Sequence, residues 1–409
     1  MNPPPFAEAL RFWLTLGFIS FGGPAGQIAI MQTELVDRRR WIDQDAFLRA
    51  LNFCMLLPGP EAQQLATYIG WRLHGLKGAL TAGILFILPG ALILFGLAWI
   101  AAAQGDATIV AAIFTGLKPV VVALVAHAVL RIGRRTLRDT QAIALAVAAF
   151  VALEFASVPF PLVVFAAGLI GWLRAPTAVP SLDVAPPSDR VWARLLRIAA
   201  AYLALLAVPA ALVAAFAPSD PFLRLGAFLT QNAFLTFGGA YAILPHVADA
   251  AVSRFGWISS ADMINGLALA ETTPGPLILV LQYVGFFAGW NVSMSLANAA
   301  LGAAVATYST FLPSIMLILA GAPYIERVSR VRGAHGALSA ITAAVVGVIL
   351  TLAVFLGGQV IFTAPGQVDF VAVGAIVAAF ISLARFHIAL HWVVLAGALF
   401  GLARVYLVF

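Results

Sequence analysis

The tripeptide Phe-Gly-Gly, a spacer of thirty-four residues and then Pro-Gly-Pro occur twice in this chain. The first copy runs from Phe21-Gly22-Gly23 to Pro58-Gly59-Pro60 and the second from Phe237-Gly238-Gly239 to Pro274-Gly275-Pro276, so a single offset of 216 aligns them without a gap. Val36/Val252, Arg38/Arg254, Trp41/Trp257, Ile42/Ile258 and Leu51/Leu267 coincide as well, giving eleven identities in forty positions. Glycine and proline are the residues that stop helices. Their recurrence at one spacing therefore predicts two related halves, each interrupted at the same two places.

Composition says what solvent those interruptions meet. Hydrophobic residues make up 62% of the chain, charged residues only 10%, and the mean hydropathy is +1.00. Apolar stretches of membrane-crossing length recur at Gly78–Gln104, Ile109–Leu130, Gln141–Gly171 (enough for two short spans), Ile198–Pro218, Asn291–Tyr324, Ala337–Phe362 and Phe370–Ala384. These runs are continuous, whereas a transmembrane barrel alternates apolar and polar residues. The expected fold class is an all-α polytopic membrane protein embedded in the lipid bilayer. The excess of 23 basic over 17 acidic residues sits in short loops, as topology signals do, and does not indicate nucleic acid. The single Cys54 excludes an intrachain disulfide. Met1–Arg11 holds three prolines ahead of an apolar run without a small-residue cleavage site, so no removable signal peptide is expected. Arg174–Arg197, with four Pro and four Arg, reads as a linker.

Orientation follows from the basic clusters Arg38-Arg39-Arg40, Arg72/Lys77, Arg131/Arg134/Arg135/Arg138, Arg174/Arg190/Arg194/Arg197, Arg327/Arg330/Arg332 and Arg385. If the segments around Phe-Gly-Gly and Pro-Gly-Pro enter the membrane and turn back, every cluster lands in the cytoplasm. This predicts two inverted-topology repeats with about nine full spans and four broken or re-entrant helical elements. If both broken segments cross instead, the inversion persists. The expected organisation is an N-terminal repeat over 1–174, a linker and connecting span over 175–221, and a C-terminal inverted repeat over 222–409.

Unpaired amides are not tolerated in hydrocarbon, so irregular backbone at membrane depth must be buried in protein or face a wet cavity. Pro58 and Pro274 disfavour helix before them, Gly59 and Gly275 permit a turn, and Pro60 and Pro276 suit a new first turn. Each restart aims a helix N-terminus, with free N–H groups and about half a positive charge, into the membrane. Four such ends from two inverted halves make an anion site without any basic side chain, as in secondary transporters.

The blocks Phe18-Ile-Ser-Phe-Gly-Gly-Pro-Ala-Gly-Gln-Ile-Ala29, Arg39-Arg-Trp-Ile42, Leu57-Pro-Gly-Pro60, Leu235-Thr-Phe-Gly-Gly-Ala-Tyr241 and Thr273-Pro-Gly-Pro276 resemble the CHR family of chromate ion transporters in its long, two-domain form. The resemblance covers nearly the whole chain. It implies a bacterial plasma-membrane carrier that expels chromate and so confers resistance, with sulfate as a chemically similar oxyanion. Two positions depart from the family's pattern: Gln27, where many members have His, and Glu61, where a small residue is common.

A tetrahedral dianion offers only acceptor oxygens, so its site should consist of donors. The candidates are the amides that follow Gly22, Gly23, Pro58, Gly238, Gly239 and Pro274, with Ser20, Thr236, Thr272, Thr273, Gln63 and Gln64 nearby. Lys118, halfway along an apolar span, costs roughly 2.5–3.5 kcal/mol to insert and should face a cavity or a partner. Glu61 and Glu271, beside the Pro-Gly-Pro signatures, are candidates for proton coupling or for an anion-repelling gate. No His-Glu-x-x-His, paired Asp or Gly-x-Ser-x-Gly arrangement appears, so neither an enzyme nor a metal or other cofactor is expected. An interior negative by about 100 mV drives a dianion outward by about 4.6 kcal/mol, so facilitated exit alone sustains export. Uniport, proton antiport and anion exchange stay open, and a homo-oligomer is compatible with the sequence.

Overall fold

The computed structural model describes residues 3–21, 23–105, 107–174, 189–216, 221–325, 333–364 and 367–406. Gly22, the 175–188 part of the linker and the Arg327/Arg330/Arg332 cluster therefore lie outside the described residues. Among the described residues sixteen α-helices carry the fold. They are α1 (Phe6–Ile19), α2 (Gly23–Gln32), α3 (Gln44–Met55), α4 (Glu61–Gln104), α5 (Thr108–Thr136), α6 (Thr140–Glu154), α7 (Phe160–Leu173) and α8 (Asp189–Phe216). The series continues with α9 (Phe222–Ala233), α10 (Leu244–Asp249), α11 (Ser260–Thr272), α12 (Val280–Ser293), α13 (Leu296–Gly321), α14 (Ala334–Ile361), α15 (Phe370–Ala384) and α16 (Leu390–Tyr406). One small hairpin, Phe362–Ala364 paired with Gln367–Val368, is a local exception to the all-helical expectation.

Among the described residues five helical stretches are long and apolar enough to cross a bilayer: α4, α5, Val191–Ala215 within α8, Leu296–Tyr324 and α14. Straight, the 44 residues of α4 would measure about 66 Å, twice the hydrocarbon thickness. The helix instead folds back at His74 (φ −139°) and Gly75 (φ +60°). Its legs, residues 61–73 and 76–104, touch where side chains are small: a Cβ on Gly70 would collide with the Gly78 carbonyl. The α12–α13 pair reverses in the same way at Met294 (φ 52°), with Gly289 against Asn298. The sequence expectation of one span over Asn291–Tyr324 is thus trimmed to a start at Leu296, and helix α8 begins at Asp189, inside the stretch read as linker.

The two halves repeat one series of elements. Helices α1, α2 and α3, the two legs of α4, then α5, α6 and α7 match α9, α10, α11, α12, α13, α14, α15 and α16 in order, and α8 has no counterpart. Even the π-helical turns recur, at Thr33–Arg38 and Ala250–Arg254. The halves are nonetheless interleaved. Helix α5 packs on α15 and α16 of the other half, α14 packs on α6 and α7, and α4 meets α13 between them. Glycines permit this close approach: Gly116 lies against Gly397 and Gly401, and Gly347 against Ala146. The rim helices point large apolar side chains outward, such as Leu196, Leu203, Val208 and Leu212 on α8. Such a surface is stable against lipid tails, and this is a multi-pass membrane protein.

Candidate functional site

Four helix interruptions are joined in two pairs, each pair drawing one from either half. Each half supplies one after its first helix and one after its third. The third helix starts at matching caps: Asp43 accepts from the Ala46 N–H (2.8 Å) and Ser259 from the Asp262 N–H (3.0 Å). The caps fix where α3 and α11 begin, and hence where their C-terminal ends deliver Pro58-Gly59-Pro60 and Thr273-Pro274-Gly275-Pro276. At both breaks the glycine has positive φ, +129° at Gly59 and +99° at Gly275, a region open to glycine at low cost.

Each break is tied to the other half. The Gly59 N–H donates to the Thr236 carbonyl at 2.8 Å, and the Gly275 N–H donates to the Ser20 carbonyl at 2.8 Å. Thr236 and Ser20 are themselves 216 positions apart, so the two bonds exchange places between the halves. Side-chain amides brace both junctions. Gln27 Nε2 donates to Gly275 O (2.7 Å) and Ser20 O (3.3 Å), and Gln64 Nε2 donates to Pro58 O (2.7 Å). Gln63 accepts from Ser314 Oγ (2.9 Å) and donates to Thr67 Oγ1 (3.1 Å).

These bonds sort the sequence-derived candidates. The amides of Gly59 and Gly275 are spent on holding the halves together, and the four prolines Pro58, Pro60, Pro274 and Pro276 have no N–H. The hydroxyls of Thr236, Thr272 and Thr273 turn back onto their own helices, to Asn232 O, Leu269 O and Ala270 O. The nitrogens of Gln63 and Gln64 are likewise engaged. Ser20 Oγ is buried with no partner among the described residues. The remaining donors are the first-turn amides of the restarted helices: at Gly23 and Ala25 of α2, at Glu61 and Ala62 of α4, after Gly238-Gly239, and at Leu277 and Ile278. Lys118, half-buried on α5, has no ion-pair partner among the described residues. Glu61 is the first residue of α4, where the helix dipole favours an acid. Glu271 accepts a hydrogen bond from the Tyr241 hydroxyl, and the charge of Arg131 on α5 acts on both groups.

Three contributors were missed in the sequence. Gln27 stands in the sequence only as a departure from the family's pattern, with no sign of a bracing role, and nothing local marks Tyr241. The third is a further repeated pair, Pro89-Gly90 in α4 and Pro313-Ser314 in α13, at an offset of 224. A Cβ on Gly275 would lie 3.6 Å from Gly90 Cα, and one on Gly59 would lie 2.9 Å from Ser314 Oγ, so each pair backs a Pro-Gly-Pro break. An alignment of the halves that allowed a gap of eight residues would have found it.

Duplicated helix interruptions, bonded crosswise inside an apolar helical body, are the hallmark of a membrane transporter. Comparison with known proteins agrees. The chromate transporter family profile matches residues 7–172 and again 223–402, two regions that begin 216 residues apart, and the chain belongs to that family. It is 33% identical to a chromate transport protein of Pseudomonas aeruginosa over 85% of this chain and 80% of that protein. Against a chromate transport protein of Cupriavidus metallidurans the identity is 26%, over 88% of this chain and 84% of that one. An uncharacterized transporter of Methanocaldococcus jannaschii is 27% identical over 80% of this chain and 78% of its own length. No solved structure matches. Its relatives are transport proteins, and the chain is a transporter, not an enzyme.

Proposed function

We propose that this protein carries chromate out of the cell across a bacterial plasma membrane, through two halves (1–174 and 222–409) inserted in opposite orientations and joined by the 175–221 connection. The reciprocal pair Gly59–Thr236 and Gly275–Ser20 carries this reading, because exchange of donor and acceptor between equivalent positions is what a two-fold axis produces. The unmatched α8 supports inversion, since with both broken segments turning back each half crosses an even number of times and one extra crossing between them reverses the second. The chromate assignment rests on the names of the relatives.

In this mechanism the oxyanion sits at the junction of the breaks. First-turn amides of α2 and α4, and those after Gly238-Gly239 and Pro274, face its oxygens, with Ser20 as an added donor and Lys118 as the attracting charge. The breaks are bonded to the opposite half, so rocking one half against the other opens the junction to one side at a time. Glu61 and Glu271 take or release the coupling proton.

The test is uptake of radiolabelled chromate into energised inside-out vesicles, with sulfate as competitor. Uptake driven by the interior-positive potential and weakly inhibited by sulfate is expected. Absence of flux, or a preference for sulfate, overturns the assignment. Lys118→Met should raise the apparent KM for chromate about tenfold, equivalent to about 1.4 kcal/mol, with little change in the maximal rate. An unchanged KM removes Lys118 from the site.

A further inference from the structure

A large cavity among the described residues lies away from the helix breaks. It is a trough of about 1190 Å³ between α8 and the outer faces of α4 and α13, walled by alkyl and aromatic side chains such as Leu80, Leu88, Phe95, Ile198, Phe311 and Ile315. A hydrated dianion has no reason to enter such a wall. The trough is held open by two hydrogen bonds that pin α8 near its start and at mid-helix: Arg194 Nη2 donates to Leu319 O (3.2 Å), and Tyr308 Oη donates to Leu205 O (2.6 Å). Between these pins the helix stands off its neighbours. In a bilayer that space must be filled, because an empty gap forfeits dispersion contacts along both walls.

Charge marks one end. Arg194 and Arg197 line the trough, and Lys77 adjoins Leu76 of its wall. None of the three has a carboxylate partner among the described residues, and no Asp or Glu lines the trough. Trp71 lines it too, a residue type suited to the headgroup boundary. From Arg197 to Leu205 the helix rises about 12 Å, close to the roughly 15 Å of one leaflet's hydrocarbon.

We propose that this trough is a binding site for an anionic phospholipid, with its phosphate at Arg194 and Arg197 and its acyl chains between α8, α4 and α13. The lipid acts as a wedge behind the transport site. Gln282, in the trough wall, donates to Ala91 O (2.8 Å), the residue after Pro89-Gly90, and Ile315 of the wall follows Pro313-Ser314. Occupancy therefore presses on the two helices that back the Pro-Gly-Pro breaks.

The test uses purified full-length protein in detergent, titrated with phosphatidylglycerol or phosphatidylcholine, with retained lipid read by native mass spectrometry and stability by thermal unfolding. Phosphatidylglycerol should be retained preferentially and should raise the melting temperature more than phosphatidylcholine does. Arg197→Gln, which leaves the Arg194 bond to Leu319 in place, should weaken retention about tenfold. Ala304→Trp, which fills the trough from the α13 side, should abolish retention while leaving the arginines intact. Equal retention of the two lipids, or unchanged retention in both variants, overturns the proposal. So does a lipid-independent dimer that Ala304→Trp dissociates, since a second copy of the chain would then fill the trough.

Discussion

The amide of Gly59 in the first half donates to the carbonyl of Thr236 in the second at 2.8 Å, and Gly275 repeats the bond to Ser20. Two helix interruptions that would each leave backbone groups unpaired in hydrocarbon thus satisfy one another across the molecule. The breaks are a shared structure that neither half can build alone. Gln27 and Gln64 close the remaining carbonyls of Gly275 and Pro58, so a motif read as a set of free donors is also the joint between the halves.

Gly59→Ala should abolish transport and destabilise the protein by roughly 1–3 kcal/mol. Its φ of +129° is strained for any side chain, and a Cβ there would lie 2.7 Å from Gln64 Nε2 and 2.9 Å from Ser314 Oγ. Gly275→Ala should be milder, because its nearest obstacle is the flexible end of Leu279 at 3.0 Å. Vesicle flux and thermal unfolding of the two variants give the ranking; equal damage would contradict it.

Replacing Gln64 with Leu removes the side-chain donor bonded to Pro58 O and leaves a buried acceptor, at a cost of about 1–3 kcal/mol. Gln27→Leu should cost at least as much, since that amide serves both Ser20 O and Gly275 O. Denaturation in detergent measures both. Stability equal to the parent would mean that the amides do not brace the breaks.

Glu271→Gln should flatten the pH dependence of chromate flux, and Tyr241→Phe should displace it, because the tyrosine hydroxyl bonds the carboxylate directly. The readout is the flux profile between about pH 5 and 8 at fixed membrane potential. A variant profile that overlays the parent's excludes Glu271 from coupling.

Asp369 caps α15 through the Ala372 N–H (2.9 Å) and pairs with Arg404 Nη2 of α16 (2.7 Å), joining the two helices at their shared end. Partial burial pushes its carboxyl upward, but the Ala372 amide and Arg404 outweigh it and hold the group below the usual carboxylate range. The folded value is therefore lower than the unfolded one. The stabilisation is complete above about pH 4 and is lost as pH falls through the folded value. Arg404→Ala should cost roughly 1 kcal/mol near neutrality, and the gap in melting temperature should narrow on acidification. A gap that widens instead would refute the sign.

Much of the helical layout was legible in the chain. The reversal near Arg72–Lys77 was expected from basic residues and occurs at His74-Gly75, and the 141–171 stretch divides into α6 and α7 as its length implied. The pair Pro89-Gly90 and Pro313-Ser314 is hidden from an ungapped comparison because the helical legs leading to it, 61–73 and 76–89, are each about one turn shorter than their counterparts 277–293 and 296–313.

Periodicity, breakers and charge clusters are local properties, and they set by themselves the membrane class, the duplication and the positions of all four interruptions. Which carbonyl each interrupted amide would find was a matter for the tertiary structure. So were the exchange of α6–α7 and α15–α16 between the halves and the trough behind α8. The physical reason is that a backbone amide carries no sequence signature. Its partner is chosen by how two distant segments are brought to within three ångströms of each other, and only the packed chain does that.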